Sequence, residues 1–156
     1  MSEGTRQGRC RCGKVRFEVT GSPMLTMACH CTGCQRMTAS AFSLSEAYSP
    51  PQFRLVEGEV VIGGIHGPAH HYHCDYCKSW LYTDPGKDAG FVNLRSTMFD
   101  DPIQEPPFAE TYTSEGLSWA TTGAVHSFDK FPPMELWPNL IQDYAARPAA
   151  MKEATS

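Results

Sequence analysis

Residues 14–20 alternate with a period of two, Val15, Phe17 and Val19 on one face and Lys14, Arg16, Glu18 and Thr20 on the other. That period predicts a strand with one buried face. Short apolar or β-branched runs continue the series at 41–44, 53–57 and 59–62, the last two joined at Gly58. Further strand-like runs follow at 70–73, 80–83, 90–94 and 110–113. Turn-forming stretches separate them, among them Gly21-Ser22-Pro23, Ser49-Pro50-Pro51, Gly63-Gly64 and Asp84-Pro85-Gly86. Many short strands at close spacing predict an antiparallel all-β fold. Helix is scarce. Residues 34–39 suit a single turn, and residues 140–147 predict a C-terminal helix with Asn139 as its N-cap and Pro138 before it. Residues 148–156 read as a frayed polar tail.

Composition narrows the class. The 156 residues, 41% hydrophobic and 19% charged, suit one globular domain spanning 1–156, with no internal repeat and no dividing linker. The first eight residues are polar and lack the apolar core of a signal peptide, and no apolar run approaches the roughly 18 residues of a membrane span. A cytoplasmic location without membrane contact is the resulting expectation. Net charge is −4, and Arg6, Arg9, Arg11, Lys14 and Arg16 form the only basic cluster, which argues against nucleic acid as a partner.

The seven cysteines change the picture most. An odd number in a leaderless chain fits metal ligation better than a disulfide framework. They fall into three groups: Cys10 and Cys12 followed by Gly13; Cys29-His30-Cys31-Thr32-Gly33-Cys34; and Cys74-Asp75-Tyr76-Cys77. Pairs at this spacing sit on tight turns that aim two thiolates at one point. Cys10, Cys12, Cys74 and Cys77 can close a four-sulfur structural zinc site. Cys29, Cys31 and Cys34 then remain, three ligands with a fourth position open, the pattern of a catalytic zinc. Two other readings stand beside this one. Cys31 and Cys34 can form a redox pair with Cys29 as a bystander, or His30 or a distant histidine can complete a second closed site. The cluster of His70, His71 and His73 looks metal-like, but alternation sends His71 to the opposite face from His70, which favours sheet and rim positions.

The string Gly8-x-Cys10-x-Cys12-Gly13-x-Val15-x-Phe17, then Cys29-His30-Cys31-x-x-Cys34, Cys74-x-x-Cys77, Tyr112-Thr113 and Trp119, resembles the glutathione-dependent formaldehyde-activating enzyme family, which includes centromere protein V. The resemblance runs from about Gly8 to Phe131, with the C-terminal helix and tail beyond it at 132–156, and uses every cysteine in order. It implies a β-tent of antiparallel sheets around zinc, with a structural zinc on Cys10, Cys12, Cys74 and Cys77 and a catalytic zinc on Cys29, Cys31 and Cys34. It also implies a small thiol such as glutathione as partner and a carbon–sulfur lyase activity of the S-hydroxymethylglutathione synthase type. This chain departs from the family pattern at Gln35, where Arg is common, at Ala39 and Lys78, where Gly is common, and at His73, where an apolar aromatic is common. Lys78 must then accept or avoid a positive φ.

The surrounding residues carry weaker expectations. His30 serves as an acid–base group or faces outward on a turn. Gln35 and Ser40 hydrogen-bond a substrate or lie on a plain helix surface. Tyr112 and Trp119 wall the pocket or belong to the core. A non-catalytic zinc-stabilised module that binds a protein partner is the alternative to the lyase. All three open-site cysteines favour the enzyme, because a scaffold needs only the four-cysteine clamp.

Overall fold

The computed structural model describes residues 4–148. The remaining part of the expected tail, 149–156, lies outside the described residues. In chain order the strands are β1 (Thr5–Arg9), β2 (Arg16–Thr20), β3 (Leu25–Cys29), β4 (Ser43–Tyr48), β5 (Phe53–Glu57), β6 (Val60–His66), β7 (Ala69–Cys74), β8 (Trp80–Asp84), β9 (Val92–Arg95), β10 (Ala109–Thr111) and β11 (His126–Ser127). Helix α1 covers Thr32–Thr38 and α2 covers Trp137–Ala145. The chain divides into two compact units, 1–23 with 46–102 and 24–45 with 103–156. Each unit joins two separated segments, so no single linker marks a boundary.

In the first unit β1, β2 and β5 form an antiparallel three-stranded sheet. The alternation along β2 works as its pattern predicts, burying Phe17 and Val19 and leaving Arg16 and Thr20 exposed. Phe17 meets Phe99 and Phe53 edge-on at 5.1 and 6.1 Å between ring centres. Gly8 on β1 makes this possible, because a Cβ there would run into the Phe17 ring and the Met98 carbonyl. Strands β6 to β9 form an antiparallel ladder, β6 on β7, β7 on β8 and β8 on β9. β5 pairs with β2, and β6 with β7, so Gly58 turns the chain between two pairings and does not close a hairpin. Gly58 takes φ +86° and a Cβ there would run into the Lys14 carbonyl, which explains a glycine there. Val15, Tyr48, Leu81, Val92 and Leu94 complete this core.

In the second unit β10 pairs in parallel with β3, placing Thr111 opposite Cys29, and β11 pairs in parallel with β10. The expected β-tent, antiparallel sheets with a short C-terminal helix, holds apart from these parallel pairings. The helix begins at Trp137, three residues earlier than expected. Pro138 occupies its first turn, where the missing N–H costs nothing, and Asn139 lies inside the helix and is not its cap. Leu140 and Tyr144, four residues apart, pack on Leu25, Met27, Phe108 and Ala109.

A buried ion pair lies in the first unit. Arg6 Nη1 lies 2.6 Å from Glu46 Oε2, with the Glu46 side chain fully buried. The Tyr48 hydroxyl donates to the same oxygen at 3.0 Å, and the guanidinium stacks 4.1 Å from the Phe99 ring centre. Arg6→Leu leaves that carboxylate without its cation and is expected to cost about 3 kcal/mol in urea unfolding of the zinc-loaded chain. A loss below about 1 kcal/mol would show that the pair is not what keeps β1 in place.

Candidate metal centres

The first sulfur cluster is built on two similar turns. After β1, the Gly13 N–H donates to the Cys10 carbonyl at 3.0 Å, with Gly13 at φ +78°. The Val15 N–H then points at Cys10 Sγ from 3.3 Å. After β7, the Lys78 N–H donates to the Cys74 carbonyl at 3.0 Å and the Cys77 N–H to Cys74 Sγ at 3.4 Å. Lys78 accepts the left-handed conformation, φ +59°, that its place after the knuckle demands. The sulfurs of Cys10, Cys12, Cys74 and Cys77 lie within 4.8 Å of one another. Cys10 to Cys12 is 3.4 Å and Cys12 to Cys74 is 3.8 Å. A tetrahedral zinc with bonds of about 2.3 Å spaces its sulfurs about 3.8 Å apart, so this donor set fits that ion.

Ser79 supports the cluster. Its hydroxyl accepts the Arg11 N–H at 3.2 Å and lies 3.1 Å from Cys77 Sγ, which leaves the hydroxyl proton for the sulfur. Burial acts against the Cys77 thiolate, but hydrogen bonds from the Ser79 side chain and backbone prevail and bring that thiol down to about 5.

The second cluster lies where β3 meets α1. Cys29 ends the strand, and the next N–H, that of His30, donates to the Thr111 carbonyl at 3.0 Å. Cys31 caps the helix: its sulfur accepts the Cys34 N–H at 3.3 Å. The helix therefore opens on a sulfur; burial pushes the Cys31 thiol up, and the Cys34 N–H works against that shift. The three sulfurs of Cys29, Cys31 and Cys34 also lie within 4.8 Å of one another, and all seven cysteines are free of disulfides. Their spacing and soft donor set fit zinc, with three ligands from the chain. As free thiols they share one negative charge. The hydrogen bond from Cys34 lowers Cys29 to about 5 against its burial, with Thr111 assisting. Cys34 moves far up, first through that same bond and then through burial, although Ser43 pulls it the other way.

Around the loop, Gln35 Nε2 donates to the His30 carbonyl at 2.7 Å and to the Glu115 carbonyl at 3.0 Å. The Glu115 carboxylate accepts the Thr32 N–H and hydroxyl, both at 3.1 Å, and the first of these holds its carboxyl below the usual range. His30 is 2% exposed and does not face outward. Its Nε2 lies 2.9 Å from Glu110 Oε2, and its Nδ1 is buried without a partner. Burial would raise Glu110, but hydrogen bonds from Ser127, Thr122 and His30 keep it low and ionised. Ser40 is exposed just after α1, which ends at Ala39 in the left-handed conformation, φ 51°. Tyr112 is half-buried with φ 55°, and Trp119 is 73% exposed, which removes it from the core.

His70, His71 and His73 lie on β7 and join neither cluster. His71 Nδ1 pairs with the Thr83 hydroxyl at 2.8 Å, and His73 stacks on Trp80. Burial lowers His71 to about 4, so it is a neutral sheet residue. Sequence patterns did not point to Ser43, Ser79, Glu110, Thr111 or Glu115. Only Ser79, two residues past a ligand, carried a local signal.

A family model described as "Glutathione-dependent formaldehyde-activating enzyme" matches residues 5–115. No curated protein matches the chain. A solved structure of a Rhodobacter sphaeroides protein is similar with a TM-score of 0.50 at 16% sequence identity, over 78% of this chain and 98% of that one. That likeness concerns the fold alone.

The shared charge gives a pH test on metal-free protein. Cys29 is expected to stay reactive to iodoacetamide down to about pH 5, and Cys34 to stay inert at pH 9. Peptide mass spectrometry reads each cysteine. Equal profiles with midpoints in the ordinary range near 8.5 would contradict the arrangement.

Proposed function

Because the chain belongs to the glutathione-dependent formaldehyde-activating enzyme family, we propose that Cys29, Cys31 and Cys34 hold a catalytic zinc with one position open, and Cys10, Cys12, Cys74 and Cys77 a closed structural zinc. The protein is then a carbon–sulfur lyase-type enzyme acting on the thiol adduct of a small aldehyde, in the manner of S-hydroxymethylglutathione synthase. One observation carries this reading. Four sulfurs converge within 4.8 Å of one another, a set a tetrahedral zinc accepts, while among the described residues three others converge without a fourth.

Zinc held by Cys29, Cys31 and Cys34 would, when bound, act as a soft Lewis acid that favours an added thiol as its thiolate. The chain holds the ligands in place. Thr111 Oγ1 donates to the Ala28 carbonyl beside Cys29, Ser43 and Thr111 favour the thiolate forms of Cys34 and Cys29, and Gln35 ties the loop to the 113–115 turn. Glu110 keeps a proton on His30 Nε2, which leaves Nδ1 as the ring's acceptor for the proton the thiol gives up. In the reaction, the thiol sulfur bonds to the carbonyl carbon. The carbonyl π pair moves to oxygen, and oxygen takes the proton. The reverse breaks the same bond. Ser40, Tyr112 and Trp119 are assigned to the rim that meets the thiol's remaining atoms. Glutathione is the family's named thiol, and a reducing cytoplasm suits seven free cysteines.

A second reading, a zinc-stabilised module that binds a protein partner, draws support from the exposed apolar side chains of Leu117, Trp119, Val125 and Phe131. Exchange NMR of formaldehyde with a small thiol, run beside zinc analysis, separates the two. The lyase reading expects faster exchange with native protein, and Cys31→Ser reduced to the uncatalysed rate with one zinc remaining of two. Unchanged exchange, or a Cys31→Ser chain that loses no zinc, favours the module.

A further inference from the structure

Resting on the open-site reading above, we infer that the three-cysteine site selects a thiol without net negative charge, with Glu115 as the residue that sets this preference. With a divalent cation held there, the site would be electrostatically negative before any substrate arrives. Three thiolates on such a cation would leave a charge of −1, and a substrate thiolate would make it −2. Any carboxylate elsewhere on the thiol adds to that repulsion.

The side chains bonded to this loop do not offset it. Glu115 holds its carboxylate on the N–H and hydroxyl of Thr32, the residue after Cys31. Gln35 follows Cys34 directly. It is neutral, and its amide is already engaged with the carbonyls of His30 and Glu115. Arg36 is two residues past Cys34, a rotation of about 200° around α1, so it leaves the opposite side of the helix. Lys130 acts on Glu115 electrostatically, which reduces that charge without making the rim cationic. Arg147 lies against the Tyr144 ring and faces Glu105. Among the described residues of this unit, three Arg and Lys stand against six Asp and Glu. A tripeptide thiol with two carboxylates and one ammonium group meets this rim unfavourably. A neutral or cationic small thiol does not.

The test uses the cobalt-loaded full chain, titrated with cysteamine, 2-mercaptoethanol, 3-mercaptopropionate and glutathione at low ionic strength and followed by the cobalt absorption bands. The native chain is expected to bind cysteamine more tightly than 3-mercaptopropionate. Glu115→Gln keeps an oxygen for Thr32 and removes the charge, so comparing the two chains cancels the intrinsic differences among thiols. The cysteamine to 3-mercaptopropionate ratio should fall about three- to fivefold in Glu115→Gln, and the difference should shrink in salt. On metal-free protein, the rate ratio of iodoacetamide to iodoacetate at Cys31 should fall in the same variant. An unchanged ratio, or glutathione binding as tightly as cysteamine, overturns the selectivity and leaves the open site standing. If no thiol moves the cobalt bands, the open site fails and the selectivity with it.

Discussion

Thiolates 3.4–3.8 Å apart repel one another strongly when partly withdrawn from water. Sulfurs gathered this closely are stable as anions only around a cation, and much of the local structure here follows from that. The two knuckles of the first unit give their N–H groups to cysteine sulfurs, and Ser79 adds a hydroxyl. The second unit repeats the device with Cys31 as the cap of a short helix. In each place the backbone has taken the shape that aims sulfur inward, even where that requires a left-handed residue with a side chain, as at Lys78.

The difference between the clusters is what the proposed chemistry rests on. One cluster has four sulfurs, and the other has three. The glutamates nearby do two separate jobs. Glu110 fixes the tautomer and direction of a buried histidine. Glu115 accepts the N–H and hydroxyl of Thr32 at the start of the helix and brings its charge beside Cys31. In the proposed account, a charge placed for local stability also shapes which thiol the site accepts.

Much of the core sheet was legible because Phe17 and Val19 alternate with polar residues, a signal that only a half-buried strand produces. β3 carries no such signal, since Leu25 to Ala28 are all buried and alternation vanishes. β1, with the sequence TRQGR, has almost no apolar content, and its pairing depends on Gly8 accommodating the Phe17 ring. The grouping of the cysteines into two clusters was legible, because their spacing within each turn is local. Their supporting residues were not. Glu110 lies 80 positions from His30 in sequence, and Glu115 lies 83 from Thr32. Only the parallel pairing of β10 with β3 brings those segments together. Tyr112 adopts a left-handed backbone that no pattern in its sequence announces.

Zinc K-edge X-ray absorption tests the central claim, that one cluster is closed and the other open. The account predicts two zinc ions per chain with an average of about 3.5 sulfurs and about 0.5 lighter atoms per ion, rising towards four sulfurs when a small thiol is added. One zinc per chain, or four sulfurs at both sites before any thiol is added, would contradict it.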